Sequence, residues 1–292
     1  MDTPRPYQRI AIFLSGLVVV FAAAVALGSL VEPAKTEGDG TEETMEAHTM
    51  ETHAHAATEP AGLGIAADGY TLRIGPSQLQ RGEERELRFA IDGPDGAPVT
   101  GFDELHERRM HLIVVRRDGA EFRHLHPEMD AAGTWTVPIE FEAAGVYRAF
   151  ADFSVEGEQQ TLATDLFVSG GEFEARPFPA PQPVDETAGY EVRLDAGDPV
   201  AGEPSPLTFT VTRSGQPVED LAPYLGAKGH LVALREGDLA FLHVHPEEGH
   251  AVAADEIEFD AAFPTAGRYR LYLQFKHEGT VQTVQFTVVV PR

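Results

Sequence analysis

The pattern that most limits how this chain can fold occurs twice, 119 residues apart. The first copy, M-H-L-I-V-V-R-R-D-G-A-E-F-R-H-L-H-P, spans residues 110–127, and the second, G-H-L-V-A-L-R-E-G-D-L-A-F-L-H-V-H-P, spans 229–246. Each is an apolar, β-branched run, a turn bearing glycine and aspartate, and a second short run, which predicts a hairpin. Asp118-Gly119 and Gly237-Asp238 supply the positive-φ residues that a two-residue turn needs. A turn centred there sets His111 opposite His126 and Ile113 opposite His124. It sets His230 opposite His245, with His243 two residues away. Side chains alternate across a strand, so His111, His124 and His126 share one face at one hairpin end, and His230, His243 and His245 repeat the set. A slip of one residue would scatter both.

The repetition extends beyond the hairpins. G-Y-T-L-R-I at 69–74 is answered by G-Y-E-V-R-L at 189–194, and A-G-V-Y-R at 144–148 by A-G-R-Y-R at 266–270. Strands are predicted near 69–74, 86–91, 111–116, 121–126, 134–140, 146–153 and 160–168, with the same seven in the second half. A glycine, one residue, then Tyr147 or Tyr269 at the start of a late strand marks the tyrosine corner of Greek-key sandwiches. The expected fold is all-β: two tandem immunoglobulin-like (Greek-key) β-sandwich domains, at 67–170 and 189–292. The segment between them, 171–188, contains R-P-F-P-A-P-Q-P-V and is expected to be a semi-rigid polyproline linker. Trp135, the only tryptophan, is expected in the core, and His277, outside the pattern, on the surface.

The N-terminal 31 residues read as an export signal. Arg5 and Arg9 precede an uncharged apolar stretch from Ile10 to Val31, followed by acidic residues, an orientation that leaves the start of the chain in the cytoplasm. At 22 residues the stretch is long enough to span a bilayer, which favours a transmembrane helix. Ala26-Leu27-Gly28 has the small-residue spacing of a cleaved signal peptide, the rival expectation. Both place the folded part outside the cytoplasm, anchored to the cell membrane by one pass or secreted. Residues 32–66 form an acidic tether with one lysine and no aromatic residue, too poor in apolar surface to fold alone.

Composition narrows the chemistry. The chain has no cysteine, which removes disulfides, thiolate metal sites and cysteine nucleophiles together. A net charge of −25 repels nucleic acid and draws cations. Three neutral imidazoles on a rigid hairpin suit Zn²⁺ or Cu²⁺. His106 lies near the first set and has no counterpart in the second repeat, where Leu225 stands. On the tether, Met45, His48, Met50, His53 and His55 combine thioether and imidazole donors suited to Cu⁺, with the imidazoles also suiting Cu²⁺.

The string H-E-R-R-M-H-L-I-V-V-R-R-D with F-R-H-L-H-P, and its second-half partner, resembles a poorly characterised family of exported bacterial proteins. These are often actinobacterial, and are labelled heavy-metal-binding or grouped with YtkA-like domains. The resemblance covers nearly the whole exported region and implies a tandem β-sandwich protein at the cell envelope with a copper link.

The expected function is extracytoplasmic metal binding, with copper (Cu⁺ or Cu²⁺) foremost and zinc as the alternative. One three-histidine site per domain would serve sequestration or delivery to another envelope metal-handling protein. Imidazole must be neutral to ligate, so binding should fail below roughly pH 6. Two other classes stay open: a metal-free adhesion or scaffold module, and an enzyme using a three-histidine metal centre.

Overall fold

Alternation of apolar and polar residues builds the outer sheet of each repeat. In Tyr190–Asp195, for example, Tyr190, Val192 and Leu194 point into the core while Glu191, Arg193 and Asp195 face solvent. The computed structural model describes residues 60–242, 244–246 and 253–292, and among these there is no helix. The expected signal segment, the tether positions Met45, His48, Met50, His53 and His55, His243, and the side chain of His245 lie outside the described residues.

The first repeat contains β1 (Ala66–Ala67), β2 (Tyr70–Gly75), β3 (Gln78–Gln80), β4 (Arg85–Asp92) and β5 (His111–Arg116). It continues with β6 (Arg123–Leu125), β7 (Glu128–Met129), β8 (Trp135–Ile139), β9 (Gly145–Val155) and β10 (Glu158–Ser169). One sheet has the order β1-β2-β4-β8-β7 and the other β3-β10-β9-β5-β6. Leu72, Leu87, Phe89, Leu112, Val114, Trp135, Tyr147 and Phe153 are among the residues filling the space between them. All seven expected strands are present, and Trp135 is buried beside Phe89 and Phe102.

The second repeat contains β11 (Val184–Thr187), β12 (Tyr190–Asp195), β13 (Pro204–Arg213), β14 (Gln216–Pro217) and β15 (Gly229–Arg235). After these come β16 (Phe241–Leu242), β17 (Val244–Pro246), β18 (Glu256–Ala262), β19 (Gly267–His277) and β20 (Thr280–Val290). Its sheets are β11-β12-β13-β18-β17, with β14 on β13, and β16-β15-β19-β20. The two repeats are thus tandem immunoglobulin-like sandwiches.

Both tyrosine corners are closed: Tyr147 donates to Ala143 O at 2.8 Å and Tyr269 to Thr265 O at 2.9 Å. Tyr147→Phe leaves the ring in place but strips the Ala143 carbonyl of this donor. It should lower stability by about 1 kcal/mol in a urea melt, with the slope of the transition unchanged.

The repeats are not beads on a linker. Strand β5 is buried at all six positions, because both of its faces are covered. Leu112 and Val114 face the core of their own repeat. Ile113 and Val115 join Phe150, Ala163, Val232, Leu234, Leu239, Phe241 and Tyr272 in a separate cluster drawn from both repeats. The sheet carrying β5 and β9 therefore packs face to face on the sheet carrying β15 and β19. Tyr272 stacks on Phe122 at 4.1 Å and donates to Gly119 O at 2.7 Å.

Residues 61–64, expected to belong to the disordered tether, instead bridge the same junction, held by backbone hydrogen bonds to both repeats. Gly62 N–H donates to Thr161 O, and Phe241 N–H to Ala61 O. Arg148 donates from Nε and Nη2 to Gly62 O at 3.0 and 2.8 Å. The linker too is held rather than free: Arg176 N–H donates to Asp118 Oδ2, and the Arg268 guanidinium lies 5.2 Å over the Phe178 ring. His277, expected on the surface, is buried. It accepts from Tyr190 Oη at 2.7 Å and donates to Asp220 Oδ1 at 2.9 Å, a structural bridge between strand and loop.

Candidate metal centre

The first hairpin keeps the expected ladder register by an unexpected route. Ile113 is paired with His124 and Leu112 with Leu125. The turn is longer than two residues: Arg116 N–H donates to Ala120 O, with residues 117–119 in the loop and Gly119 at φ 75°. Glu121, at φ 55°, takes up the extra residue as a bulge, so the strands regain step before His124. Arg116 grips Asp118 from Nε and Nη2 at 2.9 and 2.7 Å, which ties the turn to the strand.

The second hairpin departs from expectation. Its ladder runs only through Ala233–Leu242 and Leu234–Phe241. The chain then crosses to the other sheet of its sandwich, where β17 pairs with β18 and His245 lies opposite Asp260. His245 therefore does not face His230 across a ladder. The equivalent crossing in the first repeat comes later, after Leu125, which keeps His124 on the shared sheet.

Face-to-face packing of the repeats brings their histidines together. His111, His124 and His230 each offer a ring nitrogen, and these atoms all lie within 4.8 Å of one another. His111 is buried; His124 and His230 are half-buried. The His124 and His230 ring centroids are 4.7 Å apart, and His111 stacks parallel to His230 at 5.5 Å. His126 adds a fourth ring, 4.8 Å from His124 and 5.2 Å from His111, and its Nε2 is buried with no hydrogen-bond partner. His106 adds a fifth, 5.5 Å from His230. Among the described residues this is one group spanning both repeats, where the sequence suggested one per repeat.

His106 reaches the group from a tight turn in which it and Glu107 both take positive φ, 50° and 62°. The second repeat makes the same turn with Leu225 and Gly226. Two side-chain-bearing residues held in that conformation is a strain that recurs at functional sites. The turn also positions His111, whose Nε2 donates to Leu105 O at 2.8 Å. On the other side, His111 Nδ1 lies 2.9 Å from His124 Nε2, and His124 Nδ1 lies 2.7 Å from Gln274 Oε1. Gln274, on β19, and Asp152, on β9, occupy matching places opposite His230 and His111. Neither was singled out from sequence.

Burial keeps these rings neutral. His124 and His230 are held well below the usual imidazole range, first by burial and then by the neighbouring histidines. His126 is pushed down to about 4, again chiefly by burial. Burial also lowers His111, against the raising effects of the Leu105 carbonyl and the Asp152 charge. Neutral imidazoles are the form that ligates.

The same depression makes the ion-free protein acid-sensitive. Above the ordinary imidazole value of about 6.5, folded and unfolded chains are both unprotonated at these positions, and stability is full. Below it the unfolded chain takes up protons that the folded cluster refuses, so stability falls as pH drops from about 6.5 towards 4. Urea midpoints should decline through that window, and a His124→Gln/His230→Gln variant should decline less between pH 6.5 and 5. An equal slope in both would place the acid sensitivity in groups other than these two rings.

No curated protein matches this chain. Among solved structures, a DUF4426 family protein from Pseudomonas aeruginosa is 8% identical with a TM-score of 0.29, over 38% of this chain and 97% of that one. The Escherichia coli adhesin FdeC is 13% identical with a TM-score of 0.27, over 77% of this chain and 65% of that one. A mutant Salmonella alpha-2-macroglobulin is 13% identical with a TM-score of 0.28, over 79% of this chain but only 15% of that one. Likenesses this distant carry no argument about activity. The description of one family, Domain of unknown function (DUF8832), fits residues 65–170 and again 184–292, and this chain belongs to it as a tandem of two copies.

Proposed function

We propose that this protein binds one transition-metal ion between its repeats, copper foremost and zinc second, and holds it for sequestration or delivery outside the cytoplasm. The observation that carries the reading is the convergence of three ring nitrogens from two repeats, all within 4.8 Å. An all-imidazole donor set with no thiolate suits Cu²⁺ and Zn²⁺, and at equal geometry the Irving–Williams order favours copper. His126, with its buried and unpartnered Nε2, and His106 pack against the three. The Met/His tether would pass Cu⁺ or Cu²⁺ to or from this site. The export signal would place the protein at the cell membrane or outside it, and a second envelope protein would exchange the ion. The heavy-metal and YtkA-like resemblance points the same way.

One observation favours a metal-free reading. His111 and His124 already have structural hydrogen-bond partners in Leu105 and Gln274, so the cluster could serve only to dock the two sandwiches. Calorimetric titration of residues 60–292 with Cu²⁺ and Zn²⁺ at pH 7 separates the two. The metal reading expects close to one tight equivalent per chain, lost in His111→Ala/His230→Ala. No binding by the unaltered fragment would make the histidines docking residues and leave any metal role to the tether.

A further inference from the structure

The hydrogen bonds around His111 and His124 fix where their protons sit. Leu105 O, 2.8 Å from His111 Nε2, can only accept, so Nε2 carries the proton and Nδ1 keeps its lone pair. Gln274 Oε1, 2.7 Å from His124 Nδ1, likewise only accepts. While the amide keeps this orientation, His124 is protonated on Nδ1 and has its lone pair on Nε2. The two lone pairs then face each other across 2.9 Å. That arrangement is repulsive in an empty site, and a metal can relieve it only from one side of the line between the nitrogens, because 2.9 Å is too short to hold an ion about 2.0 Å from each in a straight line.

An empty site has a neutral alternative. His124 carries its proton on Nε2 and donates it to His111 Nδ1. His124 Nδ1 then needs a donor, and the amide nitrogen of the same Gln274 supplies it after a half-turn of the amide. Thr283 Oγ1, 3.3 Å from the amide nitrogen, can donate as well as accept and so satisfies either orientation. The first repeat has Asp152 at the matching place, and an ionised carboxylate could serve only one of the two states.

Resting on the reading of His111, His124 and His230 as ligands, we propose that Gln274 is a positioning residue whose amide turns over when the ion enters. It holds His124 as the Nε2–H tautomer in the empty site and as the Nδ1–H tautomer in the loaded one. The second repeat thus contributes to the centre twice, once through the His230 ring and once through the orientation of a ligand belonging to the first repeat.

The test is nitrogen-15 NMR of the histidine rings in the full chain, with zinc as a diamagnetic probe. Reading His124 itself keeps ions held on the tether out of the measurement. Zinc should move His124 from the Nε2–H to the Nδ1–H tautomer. Gln274→Leu can stabilise neither form, and the zinc affinity read at His124 should fall about 10- to 100-fold, the usual loss for an outer-sphere partner. Gln274→Glu keeps an acceptor for Nδ1–H and should retain most of the affinity, which guards against a leucine variant that packs badly. If zinc leaves the His124 signals of the unaltered chain unmoved, this inference falls, and if Cu²⁺ also fails to broaden them the metal reading falls with it. If zinc binds but the tautomer stays the same, or Gln274→Leu binds as tightly as the unaltered chain, this inference falls alone.

Discussion

Tyr272→Ala is expected to cost about 3–5 kcal/mol and to part the two sandwiches. The ring is fully buried between the repeats, stacked 4.1 Å from Phe122, with its hydroxyl donating to Gly119 O across the junction. Truncation removes the stacking, leaves a cavity in a cluster whose other members are aliphatic or phenylalanine, and strips the Gly119 carbonyl of its donor. Each sandwich keeps its own core, so the loss falls on docking rather than on folding of the repeats. Differential scanning calorimetry should show one transition in the unaltered protein and two in the variant. Metal affinity should drop with it, because His230 would no longer be held against His111 and His124. A single transition at a lowered midpoint, with affinity intact, would mean that the repeats dock by other contacts.

His230→Ala is the second large effect. If each repeat held its own site, removing one histidine from the second repeat would cost the protein only half its capacity. A site shared between repeats loses everything, because His230 is the described ligand candidate that the second repeat provides. Losing an outer-sphere partner already costs about 10- to 100-fold, so loss of a direct ligand should exceed about 100-fold in affinity. His111→Ala and His230→Ala should therefore remove the same equivalent in a titration. Removal of half the capacity by each would restore the picture of one site per repeat.

The strands were legible because each outer sheet alternates cleanly and each turn carries glycine, proline or aspartate. Tyr147 and Tyr269 identified the sandwich class from two short segments. The docking of the repeats was written less plainly. Residues 112–115, L-I-V-V, are an unbroken apolar run where a sheet with one wet face would alternate, and such a run signals burial on both faces. What covers the second face is a sheet from the other repeat, and no local pattern names a partner so far along the chain.

The histidines show the same limit. Register along the first hairpin could be read from spacing, even though the loop and the Glu121 bulge reached it by another route. Where the chain leaves the ladder could not. That choice sends His245 to the other sheet opposite Asp260, while His124 stays on the shared one. Gln274 carries no sequence signal at all, since its importance comes from facing a histidine 150 residues away. His277 looked idle for the same reason, its partners Tyr190 and Asp220 being 87 and 57 residues distant.

Anomalous diffraction at the copper absorption edge, from crystals of the protein loaded with Cu²⁺, tests the shared centre most directly. The account predicts one peak between the repeats, within bonding distance of His111 Nδ1, His124 Nε2 and the His230 ring. Two peaks, each confined to its own repeat, or no ordered copper among these histidines, would contradict it.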